Sequence, residues 1–218
     1  MAFGNWFQSK KNRWAVDKLH QSIQAQALRP DFYYEGGARD NFSGRFEMTC
    51  LHGTLVFRRL RAAGSSGKAL AQDVFDALFD GFDEALRDIG TGDLSVGKKI
   101  RKMGEAFYGR AKAYDEALAD GAPEAVLNTA LMRNLGVSDA EVGRFVRYMR
   151  SVEDTLRRHQ DDRPHAGRLH RVPRSAEGLG RACPEGWARV ILPAIPYPGR
   201  VTGSQGRAGP VPSLRTCY

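Results

Sequence analysis

Two runs of apolar residues at helical spacing, joined by a glycine-rich corner, limit this chain to helix-on-helix packing. At about 100° per residue, Phe75, Leu78, Phe79, Phe82, Leu86 and Ile89 share one stripe of a helix over Leu70–Ile89. Asp73, Asp76, Asp80, Asp83 and Glu84 share the opposite stripe. Beyond Gly90 and Gly92, the residues Val96, Ile100, Met103, Phe107, Tyr114 and Leu118 form a matching apolar stripe. Lys98, Arg101, Lys102 and Lys112 lie outside it. Two amphipathic helices joined by a short turn must bury their stripes against each other or a common core.

The same periodicity marks further helices. Val16, Leu19, Ile23 and Ala27 predict one over Trp14–Leu28. Arg45–Ala63 is apolar around most of its circumference, as expected of a central helix or of one with a second face for a partner. The loop Arg29–Gly44 between them holds Phe32, Tyr33, Tyr34 and Phe42, so it must pack somewhere or offer a binding surface. Gly64–Gly67 ends the second helix. Pro123 opens another, and Ser138 with Glu141 forms the S-x-x-E box that opens the last. No stretch alternates with period two. The expectation is an all-α fold: a single bundle of about six helices over residues 14–156, after an N-terminal extension over residues 1–13. The aromatics and cations of that extension fit either a frayed end or a membrane-interface contact, and its shortness favours the former.

Residues 157–218 differ in kind. They hold eight of the ten prolines, 11 Arg, no Lys and four acidic side chains. That balance of +7 accounts for nearly all of the net charge of +8, so the helical domain is close to neutral. An Arg/Pro/Gly-rich segment without apolar periodicity is expected to be disordered. A reading-frame slip in a GC-rich gene would produce such a composition; a basic arm for RNA or acidic lipid is the functional alternative. Cys50, Cys183 and Cys217 are odd in number, far apart and form no C-x-x-C pair, which supports neither a disulfide framework nor a zinc cluster and fits a reducing compartment.

The chemical candidates weaken on inspection. Gly92-Asp-Leu-Ser-Val-Gly97-Lys98-Lys99 imitates a phosphate-binding loop, but Lys99 stands where a magnesium-binding Ser or Thr belongs, and a helix precedes it instead of a strand. Gly90 and Gly92 are better read as a helix end and a positive φ angle, with Asp93 or Ser95 capping the next helix. The acidic stripe points away from the apolar one and lacks the Glu-x-x-His pairs of di-metal bundles. Cys50 and His52 diverge on their helix, and His52 reads as a hydrogen-bonded core histidine. Arg110 falls on the apolar face and needs a carboxylate, with Glu47 and Asp93 as candidates. Tyr108 falls on the polar side. No catalytic, cofactor-binding or metal-ligating set can be assembled.

Several ordered motifs resemble the ubiquinol–cytochrome c chaperone family. Gly90–Lys99 reads G-x-G-D-L-x-V-x-K-K, Met103–Tyr114 reads M-x-E-x-F-Y-G-R-x-x-A-Y, and Ala117-Leu118 follows. Phe32-Tyr33, Gly44-Arg45-Phe46-Glu47-Met48 and Leu51-His52 support it upstream, as does Leu131–Asn134 downstream, over roughly Leu28–Leu135. Arg39-Asp40-Asn41 departs from an expected Pro-Asp-Thr, and Thr91 replaces a usual Val. The resemblance implies a non-enzymatic assembly factor for respiratory complex III that binds newly made cytochrome b or an early intermediate. It implies a small partner protein, the ribosome and the inner membrane surface as further contacts, with no small-molecule substrate or cofactor. A ribosome- or RNA-associated module using Lys98, Arg101, Lys102 and the basic tail is the competing reading. With no organelle-targeting segment visible, a bacterial, cytoplasmic protein is expected, peripheral on the cytoplasmic face of the inner membrane. On this reading Phe32, Tyr33, Arg45, Glu47, His52, Gly92, Asp93, Lys98, Phe107, Tyr108, Arg110 and Tyr114 serve partner binding or the scaffold.

Overall fold

A computed structural model describes residues 3–161, with side chains over 13–158. The expectation about the C-terminal tail lies almost wholly outside these residues. Six long helices and one single-turn helix make up the described part, and no strand occurs in it: α1 (Phe3–Ala27), α2 (Asp31–Tyr34), α3 (Phe42–Ala62), α4 (Ser65–Asp88), α5 (Asp93–Ala117), α6 (Glu124–Leu135) and α7 (Asp139–Asp161).

The bundle is organised around α3. Of its 21 residues, 15 are buried, so it is a central helix and not one with a spare face. Helices α1, α4, α5, α6 and α7 surround it in that order, each packed against the next. A hydrogen bond from Gln26 Nε2 on α1 to the Tyr148 hydroxyl on α7, 2.9 Å long, closes the ring. One side of the aromatic loop before α3 turns inward as well, while Tyr34 stays 82% exposed. Phe32 on α2 is fully buried, edge-on to His52 at 5.3 Å and to Tyr148 at 5.0 Å. The apolar surplus noted in the sequence is therefore core, and neither α3 nor the Phe32 ring offers it to a partner.

Element boundaries shift where local chemistry outweighs periodicity. Helix α1 starts at Phe3, well before the Trp14 expected. Gly64–Gly67 does not separate α3 from α4; Gly64 alone turns, with φ +81°, and α4 begins at Ser65. Gly67 lies so close to α3 that a Cβ there would sit 2.0 Å from the Leu60 carbonyl oxygen. The Ser138 box forms in one direction: the Glu141 carboxylate accepts from the Ser138 amide at 2.8 Å and from its hydroxyl at 2.7 Å. At the far end of α5, Arg58 on α3 donates to Asp115 (2.9 Å), Glu153 (3.2 Å) and the Leu118 carbonyl (3.3 Å), tying α3, α5 and α7 together. Cations at a helix C-terminus also satisfy carbonyls that have no partner within the helix.

These contacts make glycine positions unequal. Gly67→Ala should lower stability by about 1–3 kcal/mol through overpacking. Gly109→Ala, with nothing within 4 Å of the added Cβ, should be neutral or gain up to about 1 kcal/mol from helix propensity. Urea unfolding of the two variants measures the difference.

Candidate functional site

The motif-bearing residues fall into a buried group and an exposed group. The buried group centres on Arg110, half-buried on α5, and Glu47, buried on α3. The guanidinium donates through Nε and Nη2 to both Glu47 oxygens and through Nη1 to the Ala106 carbonyl at 3.0 Å. It also lies 5.5 Å over the Phe46 ring. A two-pronged pair of this kind fixes the rotation and register of α5 on α3. Asp93, the other candidate partner, is at the opposite end of α5 and pairs with Arg87 instead. Phe107 and Tyr114 fill the same interface and are almost wholly buried.

A second buried cluster surrounds His52, which has no exposed surface. Its Nδ1 lies 2.7 Å from the Met48 carbonyl and its Nε2 lies 2.9 Å from the Tyr148 hydroxyl. Only one proton arrangement satisfies every group. Gln26 donates to the Tyr148 oxygen, Tyr148 donates to Nε2, and Nδ1–H donates to Met48. The imidazole is thus neutral, and burial pushes its pKa down to about 4. Burial raises the Tyr148 hydroxyl, and it raises the Cys50 thiol well above the ordinary thiol value. Neither group is placed to act as a nucleophile. Tyr33 caps the end of α1, donating to the Ala27 carbonyl at 2.7 Å.

The exposed group lies on the hairpin of α4 and α5. Helix α4 ends in a Schellman turn. Gly90 takes φ +83°, its N–H donates to Arg87 at 2.9 Å, and the Thr91 N–H reaches back to Leu86 at 2.9 Å. Gly92 is extended, with φ −66°, and takes the N-cap position with no side-chain bond; the caps expected from Asp93 or Ser95 and the positive φ expected at Gly92 do not form. Arg87 braces the turn by pairing with Asp83 at 2.6 Å and with Asp93. Lys99 donates to the Thr91 hydroxyl at 3.1 Å, so the backbone here makes a corner between helices and no phosphate cradle. Along the outside of α5 run Leu94, Lys98, Arg101, Glu105, Tyr108 and Lys112, all exposed. Tyr108 is held there by stacking on Phe75 at 5.2 Å. Arg45 is exposed on α3 and paired with Asp40 at 2.8 Å.

Two aliphatic side chains at this corner face solvent. Leu94 is fully exposed at 101% relative accessibility, and Ile89 is exposed at 64%. Ile89 belongs by spacing to the buried stripe of α4, but it is the C-cap residue, where the chain leaves the helix. Leu94 was legible: at about 100° per residue it stands opposite the Val96–Phe107 stripe. Among the described residues no group of His, Cys, Asp and Glu is arranged to hold a metal, and no helix is long and apolar enough to cross a membrane.

The comparisons with known proteins converge. Residues 35–170 match the family described as Ubiquinol-cytochrome C chaperone. The chain is 22% identical over 130 residues to ubiquinol-cytochrome-c reductase complex assembly factor 1 of Xenopus laevis. That similarity covers 58% of this chain and 64% of the relative, just under two thirds of its length. The crystal structure of the Cbp3 homolog from Brucella abortus superposes with a TM-score of 0.65 at 29% identity, over 83% of this chain and 94% of that one.

Two expectations follow from the buried clusters. Glu47→Ala should cost about 2–4 kcal/mol by leaving Arg110 without its carboxylate, and a Glu47/Arg110 double-mutant cycle should return a coupling above about 1 kcal/mol. The unfolded chain binds a proton at His52 near pH 6.5 and the folded chain only near pH 4. The His52 contribution is therefore complete above pH 6.5 and is lost as pH falls toward 4. His52→Gln should flatten that part of the stability–pH curve measured by chemical denaturation.

Proposed function

This chain belongs to the ubiquinol–cytochrome c chaperone family, a family of chaperones and not of enzymes, and on that premise we propose that it is an assembly factor for respiratory complex III. It holds newly made cytochrome b, or an early intermediate containing it, until the complex matures. The observation that carries this reading is the family match over residues 35–170, which takes in α3–α7 and the whole α4–α5 hairpin. The names of the relatives in Xenopus and Brucella support it.

The physical arrangement is suited to holding rather than converting. The titratable groups inside the bundle are paired or neutral: Glu47 with Arg110, Glu153 and Asp115 with Arg58, and His52 between two hydrogen-bond partners. Asp115 and Glu153 line a cavity of about 500 Å³, but each already accepts from arginines there, Asp115 from Arg58 and Arg61 and Glu153 from Arg58 and Arg157, which holds both as ion-pair partners and not as general bases. Motif residues that remain on the surface, Lys98 and Tyr108 above all, are held outward by a rigid hairpin and are proposed to carry the partner contact. The protein works at the inner membrane surface, where such a client is inserted.

Deleting the gene in an organism that respires through complex III should lower the assembled complex at least several-fold on native gels, with unassembled cytochrome b degraded. Normal assembly in the deletion strain would remove the proposal. Calorimetric titration of the purified protein with magnesium and ATP should give no binding heat.

A further inference from the structure

We infer that the open groove between α5 and α6 holds a segment of this chain's own C-terminal part, residues 187–197, which closes over it in cis. The groove encloses about 400 Å³, within the size range of ligand sites. Ala113 on α5 and Ala125, Val126 and Thr129 on α6 line it, beside the exposed Glu116 and Arg133. No aromatic or long aliphatic side chain is among its lining residues, so its walls are mostly methyl groups. Val126 leaves 42% of its surface open to solvent there. Covering such a wall removes apolar area from water.

The sequence selects the occupant. Residues 187–197 read W-A-R-V-I-L-P-A-I-P-Y, with Arg189 the single charge. They hold the one tryptophan and both isoleucines that follow Asp161, between flanks rich in Arg, Gly and Pro. Pro193 and Pro196 predict extended backbone, which can lie along a furrow between two helices and has less conformational freedom to lose on docking. Arg189 has Glu116 to meet, an exposed carboxylate whose ion pair with Lys112 spans 3.9 Å. The tether is short enough. Arg157, near the end of α7, donates to Asp120 at 2.8 Å. Asp120 stands five residues before Ala125, so at most about 18 Å separates it from the near end of the groove. The 25 residues between Asp161 and Trp187 reach about 25–30 Å as a flexible chain. Such a tether gives the segment an effective concentration of about the millimolar range, against which a second copy or a separate peptide must compete.

The segment follows the family match, which ends at residue 170, so the inference does not draw on the assembly reading. The test uses the full chain. With Trp6→Phe and Trp14→Phe, Trp187 is its only tryptophan. Its emission should lie to the blue of tryptophan in water and stay there on dilution. Val126→Asp on the groove and Ile191→Asp on the segment should each return it to the red, with helix content by circular dichroism unchanged. A second readout fixes the place. In a Cys183→Ser/Cys217→Ser background, where the remaining Cys50 is buried, Ala194→Cys is paired with Thr129→Cys in the groove or with Lys102→Cys, exposed elsewhere on α5. Mild oxidation should cross-link the first pair within one chain at least about tenfold faster than the second. Equal rates would overturn the inference, as would a Trp187 that emits as in water or ignores Val126→Asp. A blue shift lost on dilution would also overturn it and assign the groove to a second copy.

Discussion

Every long helix of the domain except α3 takes its position from α3. A helix buried on all sides can present no charged face, so its polar residues must find partners inside the bundle. Helices α5 and α7 supply them. Helix α5 answers Glu47 with Arg110, and α7 answers His52 with Tyr148. Asp115 and Glu153, from those same two helices, take Arg58. Apolar packing alone would tolerate a sliding or rotated neighbour. A two-pronged ion pair and a directional hydrogen-bond relay do not, because a shift of one residue would leave a buried group unsatisfied at a cost of several kcal/mol. The buried polar groups of the motif thus set where the hairpin stands on α3.

This arrangement also separates two kinds of motif residue that a sequence lists side by side. Phe107 and Tyr108 are neighbours, but one fills the α3–α5 interface while the other stacks on Phe75 at the surface. Glu47, His52, Phe107, Arg110 and Tyr114 maintain the scaffold; Gly92, Asp93, Lys98 and Tyr108 shape or occupy its outer side. A substitution in the first group is expected to act through stability, and one in the second through contacts.

The sequence made the architecture legible because helix periodicity is a local signal and nearly every element here is a long amphipathic helix. The Glu47–Arg110 pair was legible too, since an arginine on an apolar face demands a carboxylate. Other features depended on three-dimensional facts that no spacing encodes. Whether the apolar surplus of α3 and the Phe32 loop met a partner or the core turned on how many neighbours surround α3. The roles of Gly90 and Gly92 depended on which of two nearby glycines took a positive φ, and both are equally able to do so. Ile89 misled because its spacing continues the buried stripe one residue past the point where the helix stops. Leu94 was readable by angle alone, but an exposed leucine is common enough in a sequence to pass without remark.

The Schellman turn at Gly90 carries a last implication. Its two backbone hydrogen bonds, with Arg87 reaching from Asp83 to Asp93, leave the four residues between α4 and α5 little freedom to wander. A flexible loop with the same side chains would surrender conformational entropy at each encounter. This loop has already lost that entropy during folding, so encounter and release can be fast while the geometry of contact stays the same each time.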